Sequence, residues 1–290
     1  DDVHKRWIDG TRIHTSGIEA EKYIQTFLKK PHVLEYEKTI WPFILFTKKR
    51  YIGNVYKTNP DEYKRTSMGI VLKRRDNANI VKHVYGGIID IIMDTRDLQR
   101  SIKFCKTECN KLLRGKIKMD MLIVTKSLKG YYKNPRSIAH KVLADRIGDR
   151  DPGNKPKSND RIPYVYIEKK ASRKEKILQG DKIEHPQYIR DNNIKPDYLF
   201  YLTNQLMKPI GQIYALVVES LDGYTRHSDY YIKKRKSLLI KYDGNESKVD
   251  EKIRDLRHKD ACDIIFKELI RIYTNKKEGK REITDFFKSC

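Results

Sequence analysis

Lys48, Lys49, Arg50 and Tyr51 stand together where an apolar run from Ile40 to Phe46 ends. Three adjacent cations there need an anionic partner or a great deal of water. Further cations recur downstream at Arg74, Arg75, Lys126, Arg150 and Arg161. Taken one at a time, each also fits a solvated surface or an ion pair with a nearby acid. Two acids, Glu35 and Glu37, flank Tyr36, and in a strand that alternation puts both carboxylates on one face. They also fit ordinary strand carboxylates that pair with Lys38 or Lys48. Cys105 and Cys109 are four apart in a helical pattern, and no CxxC pair occurs. Buried thiols are therefore favoured over metal ligands.

The elements that must carry these residues can be read from apolar period and punctuation. Ile18, Tyr23, Ile24, Phe27 and Leu28 give a helix from Gly17, stopped by Pro31. The stretch from Val33 to Tyr56 reads as two strands with a hairpin tip at Thr47 to Lys49. Another strand is expected from Met68 to Lys73. Helices follow over Asn79 to Met93 and Asp94 to Leu113, with Gly86-Gly87 either weakening the first or marking a close helix contact. A short strand at Met121 to Val124 and a helix from Pro135 to Ile147 come next. Asp149 to Asp160 is a loop rich in Pro, Gly, Asn and Asp, followed by a strand from Ile162 to Ile167. Lys169 to Lys176 is most simply a solvated basic turn. Pro196 to Pro209 reads as a helix, Ser237 to Tyr242 as a strand among loops, and Lys252 to Tyr273 as a long amphipathic helix. Asn275 to Lys280 then forms a charged linker.

The 290 residues carry 62 Lys and Arg against 39 Asp and Glu, a formal charge of +23. Such an excess points to a polyanion, nucleic acid first and a membrane surface second. Apolar runs such as Ile40 to Phe46 are far too short to span a bilayer. No signal peptide is visible. A chain that starts at Asp1 without Met reads as a segment of something longer or as a processed product. Its abundant Lys, Ile, Asn and Tyr match the bias of AT-rich coding, which points towards a large DNA virus.

Six motifs share one order: LEYEK (Leu34 to Lys38), KKRYIG (Lys48 to Gly53), KRRDN (Lys73 to Asn77), RDPG (Arg150 to Gly153), DRIPYVYI (Asp160 to Ile167) and YLTNQLMKP (Tyr201 to Pro209). This set resembles the LEFEK, KKRYAG, VRRDN, RDPG, DRVPYVII and YLENQLxKP motifs of family B DNA polymerases of the delta-like and viral type, over roughly Gly17 to Ile210. The resemblance implies an α+β chain: the end of the antiparallel palm sheet, a mainly helical thumb and a C-terminal helical tail. It places the palm at residues 1–75, the thumb at 76–210, an extension at 211–274 and a tail at 275–290.

The implied function is DNA-directed DNA polymerisation in replication, at a nucleus or at a viral replication site in the host cytoplasm. Primer-template DNA and deoxynucleoside triphosphates are the partners. Mg²⁺ would be held by palm aspartates whose motifs do not occur in this sequence, so the chain alone should not polymerise. Neither zinc nor an iron-sulfur cluster is expected. By resemblance, Glu37 lies near the metal centre as an accessory acid, and Lys48 and Lys49 reach the primer-terminal duplex. Tyr51 packs beneath them, and Arg50 supports them through charge. Arg74, Arg75, Lys126, Arg150 and Arg161 look like phosphate contacts. Ile283, Phe286 and Phe287 resemble a sliding-clamp-binding box, with Lys280 where that box prefers Gln; they also fit a tail folded back onto the long helix. Two rival readings stay open, a non-catalytic subunit of a split polymerase and a duplex-binding protein with no enzymatic role.

Overall fold

A computed structural model of the chain describes residues 10–57, 59, 61–169 and 177–280, with side chains from Thr15 onward. The chain falls into two compact units. One comprises residues 1–73 with Met93–Thr95, the other Arg74–Ile92 with residues 96–290.

In the first unit, helix α1 (Gly10–Gln25) begins before Gly17. Gly17, Glu21 and Gln25 recur every four residues, so they share one face. The Tyr36 ring lies against Gly17, where an added Cβ would stand 2.6 Å from it. Glu21 accepts a hydrogen bond from the Tyr36 amide at 2.9 Å, and Gln25 accepts from the Leu34 amide at 3.0 Å. This face of α1 takes up the backbone of the segment that holds Glu35 and Glu37. Neither acid is in a strand, contrary to expectation: the neighbouring Leu34 and Tyr36 amides donate to side chains of α1 rather than to a ladder.

Strand β1 (Thr39–Thr47) pairs antiparallel with β2 (Arg50–Tyr56), and β2 with β3 (Tyr63–Met68). The hairpin tip falls where the sequence put it, but the third strand does not. Met68 to Lys73 is not a strand: Gly69, at φ +63°, ends β3, and Val71–Lys73 makes a 3₁₀ turn. β3 is polar, has one neighbour and has no buried face, so no alternation marks it. Of the apolar residues after it, Ile70 is fully buried, while Val71 and Leu72 are half-buried. Arg65 of β3 donates to the buried Asn54 of β2 at 2.9 Å and pairs with Asp94.

The second unit is built on helices. α2 (Asn79–Thr95) buries Ile80, Val84, Ile88 and Ile89. Gly87 does mark a close helix contact, since a Cβ there would stand 2.5 Å from the Phe104 ring. α3 (Leu98–Leu113) starts four residues later than expected, because Arg96 adopts φ 56° and Asp97 caps the Arg100 amide at 2.8 Å. Cys105 and Cys109 are fully buried on its inner face. Their mutual hydrogen bond, and after it burial, raises the Cys105 pKa, so this thiol stays protonated.

Strand β4 (Val124–Ser127) lies later than expected, because Met119–Met121 forms a 3₁₀ turn. It pairs with β5 (Arg161–Tyr166), and β5 with the two-residue β6 (Ile183–Glu184). α4 (Ala139–Arg150) follows a separate turn at Pro135–Ser137. Beyond Lys169, the basic stretch to Lys176 lies outside the described residues. After the short α5 (Pro186–Asp191), the helix α6 does not stop at Pro209. It runs through Tyr198–Phe200, a π-helical turn at Tyr201–Leu206, and Met207–Ala215. Proline has no amide hydrogen and crowds the turn before it. The wider turn, in which the Met207 amide reaches back to the Leu202 carbonyl, lets the helix continue past it.

The expected strand at Ser237 to Tyr242 is helical. α7 (Tyr230–Lys241) buries Tyr231 and Leu238, two turns apart, and its Leu-Leu-Ile run only imitates a strand. α8 (Glu246–Lys277) is longer than the sequence suggested, since Asn245 caps it by accepting from the Lys248 amide at 3.1 Å. Asp260, on its buried side, accepts two bonds from Arg226 and one at 2.8 Å from the Tyr231 hydroxyl. Among the described residues no helix is long and apolar enough to cross a membrane.

Candidate nucleic-acid interface

The β1–β2 hairpin closes at the pair Thr47 and Arg50, which leaves Lys48 and Lys49 exposed at the tip. Lys49 sits at φ 62°, a left-handed conformation that costs a side-chain-bearing residue free energy. It is held there from beneath. Gly69 packs so closely that a Cβ would stand 2.4 Å from the Lys49 carbonyl oxygen and 3.0 Å from Arg50 Cγ. Arg50 Nε donates to the Gly69 carbonyl at 3.3 Å, so Arg50 braces the tip through a backbone bond. Tyr51 lies in the row Leu45–Tyr51–Met68 across the sheet, with its ring 5.6 Å from that of Phe43. The sequence put the lysines at the tip; the bracing role of Gly69 depends on a contact twenty residues away and carries no local signal.

In the second unit, three of the expected phosphate-binding residues line one depression of about 480 Å³. Arg75, Lys126 and Arg161 meet there with Lys129, Tyr132 and His140. Arg161 lies across the β4–β5 pair and donates to Ser127 Oγ and the Thr125 carbonyl, each at 3.2 Å. Its guanidinium also borders a neighbouring hollow of about 700 Å³ that holds Lys155 and Lys157. At the rim, Arg74 grips Asp76 at 3.2 and 3.1 Å and holds its carboxyl below the usual range, against the effect of burial. Lys129, Tyr132 and His140 were not singled out from sequence, because only the fold brings them to Arg75 and Arg161.

Arg150 has a different setting. It makes a bidentate pair with Glu184 at 3.2 and 3.0 Å and stacks on Tyr188, its guanidinium carbon 3.7 Å from the ring centre. Glu184 is buried, with Arg146 also at 3.4 Å, so Arg150 compensates a carboxylate that the fold shields from solvent. The loop after it is ordered by its own acids. Asp151 accepts from the Gly153 amide and the Asn154 side chain, and Asp160 from the Lys157 amide.

Glu37 is exposed and pairs with Lys38, whose hydrogen bond and charge lower its pKa. Among the described residues no group of three or more His, Cys, Asp or Glu could hold a metal ion, so Glu37 has no partner ligands for one. Ile283, Phe286 and Phe287 lie outside the described residues.

A fold of this kind, with an exposed cationic hairpin and a basic depression beside a small second sheet, has a counterpart among known families. The family described as DNA polymerase family B matches residues 4–217, and the chain belongs to that family. The DNA polymerase of Pyramimonas orientalis virus is 50% identical over 271 residues, 93% of this chain and 22% of that polymerase. That of Acanthamoeba polyphaga mimivirus is 52% identical over 215 residues, 73% of this chain and 12% of the other. The DNA polymerase delta catalytic subunit of Candida albicans is 35% identical over 205 residues, 70% and 19%. The chain thus spans less than a quarter of the length of these relatives. A family B DNA polymerase of the archaeon Pyrobaculum calidifontis shares the fold, with a TM-score of 0.51 at 17% identity over 67% of this chain and 23% of that one.

Proposed function

We propose that the chain is the duplex-holding part of a DNA-directed DNA polymerase that replicates DNA. Residues 1–75 are then the end of the palm, 76–210 the thumb, 211–274 an extension and 275–290 a tail. The observation that carries this reading is the hairpin tip, where Lys49 is kept in a costly backbone conformation with its ammonium exposed. Strain of this kind persists where the surroundings over-determine it, and often where function uses it.

In the minor groove every correct base pair presents an acceptor, purine N3 or pyrimidine O2, at nearly the same place. Lys48 and Lys49, reaching that groove at the primer terminus, test pairing geometry without reading sequence. Arg50 and Gly69 fix the tip, and Tyr51 supports it from the sheet. Arg75, Lys126, Lys129 and Arg161 neutralise backbone phosphates, each contact adding about 0.9 to the salt slope of binding. Arg74 and Arg150 act as braces, one on Asp76 and the other on Glu184.

Members of this family use divalent metal ions. Mg²⁺ is the ion of this reading, held by aspartates of other parts of the enzyme, with Glu37 as an accessory acid near them. Those parts also bring the deoxynucleoside triphosphate. The tail residues Ile283, Phe286 and Phe287 dock on a sliding clamp, and the work takes place in a nucleus or at a viral replication site in the cytoplasm.

Binding of the purified protein to a recessed primer-template and to a blunt duplex of equal length tests the reading. Tighter binding to the primer-template is expected. Equal affinity would favour a duplex-binding protein without an enzymatic role.

A further inference from the structure

His140 sits at the start of α4, between β4 and the loop that follows it. Its Nε2 lies 3.0 Å from the Tyr132 hydroxyl, and it makes a backbone hydrogen bond with Ser127. The Tyr132 hydroxyl also accepts from the Lys129 amide at 2.7 Å. A phenol oxygen has one hydrogen to give. While the imidazole is neutral at Nε2, that hydrogen points at His140 and is lost to anything in the depression. The groups around this pair are Lys126 on β4, Lys129 on the loop, Arg161 on β5, and Arg75 with Asp76 ahead of α2. Asp76 is already gripped by Arg74, so the local field is cationic.

Burial first, and the Lys126 charge second, lower the His140 pKa, while the Ser127 bond opposes them. An anion in the depression reverses the balance by answering Lys126 and the other cations at once. On the reading that this depression receives duplex phosphate, we propose that His140 and Tyr132 form a proton-linked phosphate contact. As a backbone phosphate enters, His140 takes a proton from solvent at Nε2. That Nε2–H then donates to the Tyr132 oxygen, and the freed Tyr132 O–H turns outward to donate to a phosphate oxygen. The one covalent change is the Nε2–H bond, formed with a proton that solvent gives up, and that proton returns to solvent when the duplex leaves.

The sign follows from linkage. The histidine pKa is depressed in the free protein and raised in the complex, so binding takes up protons at pH values between the two. The extra affinity is complete below the free-state pKa and disappears as pH rises through the bound-state pKa. Each unit by which phosphate raises that pKa is worth about tenfold in affinity.

Titration calorimetry of a primer-template duplex into the protein, in two buffers of different ionisation enthalpy, reads the proton directly. The wild type should take up more protons than His140→Gln, by up to one per complex; the other seven of the eight histidines contribute alike to both. Tyr132→Phe keeps the ring in place and should bind the duplex about tenfold more weakly at the acidic end of a pH series, where the wild-type affinity has levelled off. Equal proton uptake by wild type and His140→Gln, or undiminished low-pH affinity of Tyr132→Phe, would overturn the proposal while leaving duplex binding intact. A wild type that binds no duplex at any pH would overturn the duplex reading as well.

Discussion

Lys49 shows how one side chain separates stability from function. Glycine enters the left-handed region freely, so Lys49→Gly should stabilise the protein by about 1 kcal/mol in a denaturant titration. The same change should weaken duplex binding, because the ammonium is gone. Arg150 and Lys126 make the opposite pair. Arg150→Ala leaves the buried Glu184 carboxylate with Arg146 at 3.4 Å and should cost about 2 kcal/mol. Lys126→Ala, on an exposed strand position, should stay within about 0.5 kcal/mol of wild type. It should instead lower the salt slope of duplex binding by about 0.9. A thermal melt and a salt series on both variants check this division. From sequence the two residues looked alike, as cations beside a motif. What distinguishes them is Glu184, thirty-four residues further along the chain.

The hairpin is the element on which the proposed contact to the primer end depends, and it was legible because two signals coincide there. An apolar run meets a cluster of cations, and nothing but a turn joins them well. β3 was not legible, since an edge strand of Tyr-Lys-Arg-Thr-Ser-Met buries no face and leaves no alternation. The opposite error occurred at α7, where a local Leu-Leu-Ile run outweighed the helical spacing of Tyr231 and Leu238. α6 outran its expected end because a widened turn absorbs Pro209, which no local pattern announces. Gly69 ties β3 to the hairpin tip. Gly69→Ala would force a side chain into φ +63° and against the Lys49 carbonyl. It should cost about 1 to 3 kcal/mol and weaken duplex binding although it removes no charge. Unchanged binding in that variant would mean the tip does not need its brace.

At the scale of the whole molecule, the +23 charge points to a polyanion but not to where one would touch. On the proposed reading each unit offers its own contact, one with a hairpin tip and the other with a basic depression. Most of the candidate site was legible as residue types in known motifs. His140, Tyr132 and Lys129 were not, because a depression is a property of the fold and not of the order of residues. The central claim is that the hairpin lysines hold matched primer ends rather than DNA in general. The measurement that tests it is the affinity of wild type and Lys49→Ala for a matched primer-template and for random-sequence blunt duplex, at one salt concentration. The account predicts a larger loss on the matched primer end than on the blunt duplex. Equal losses on the two substrates would contradict it.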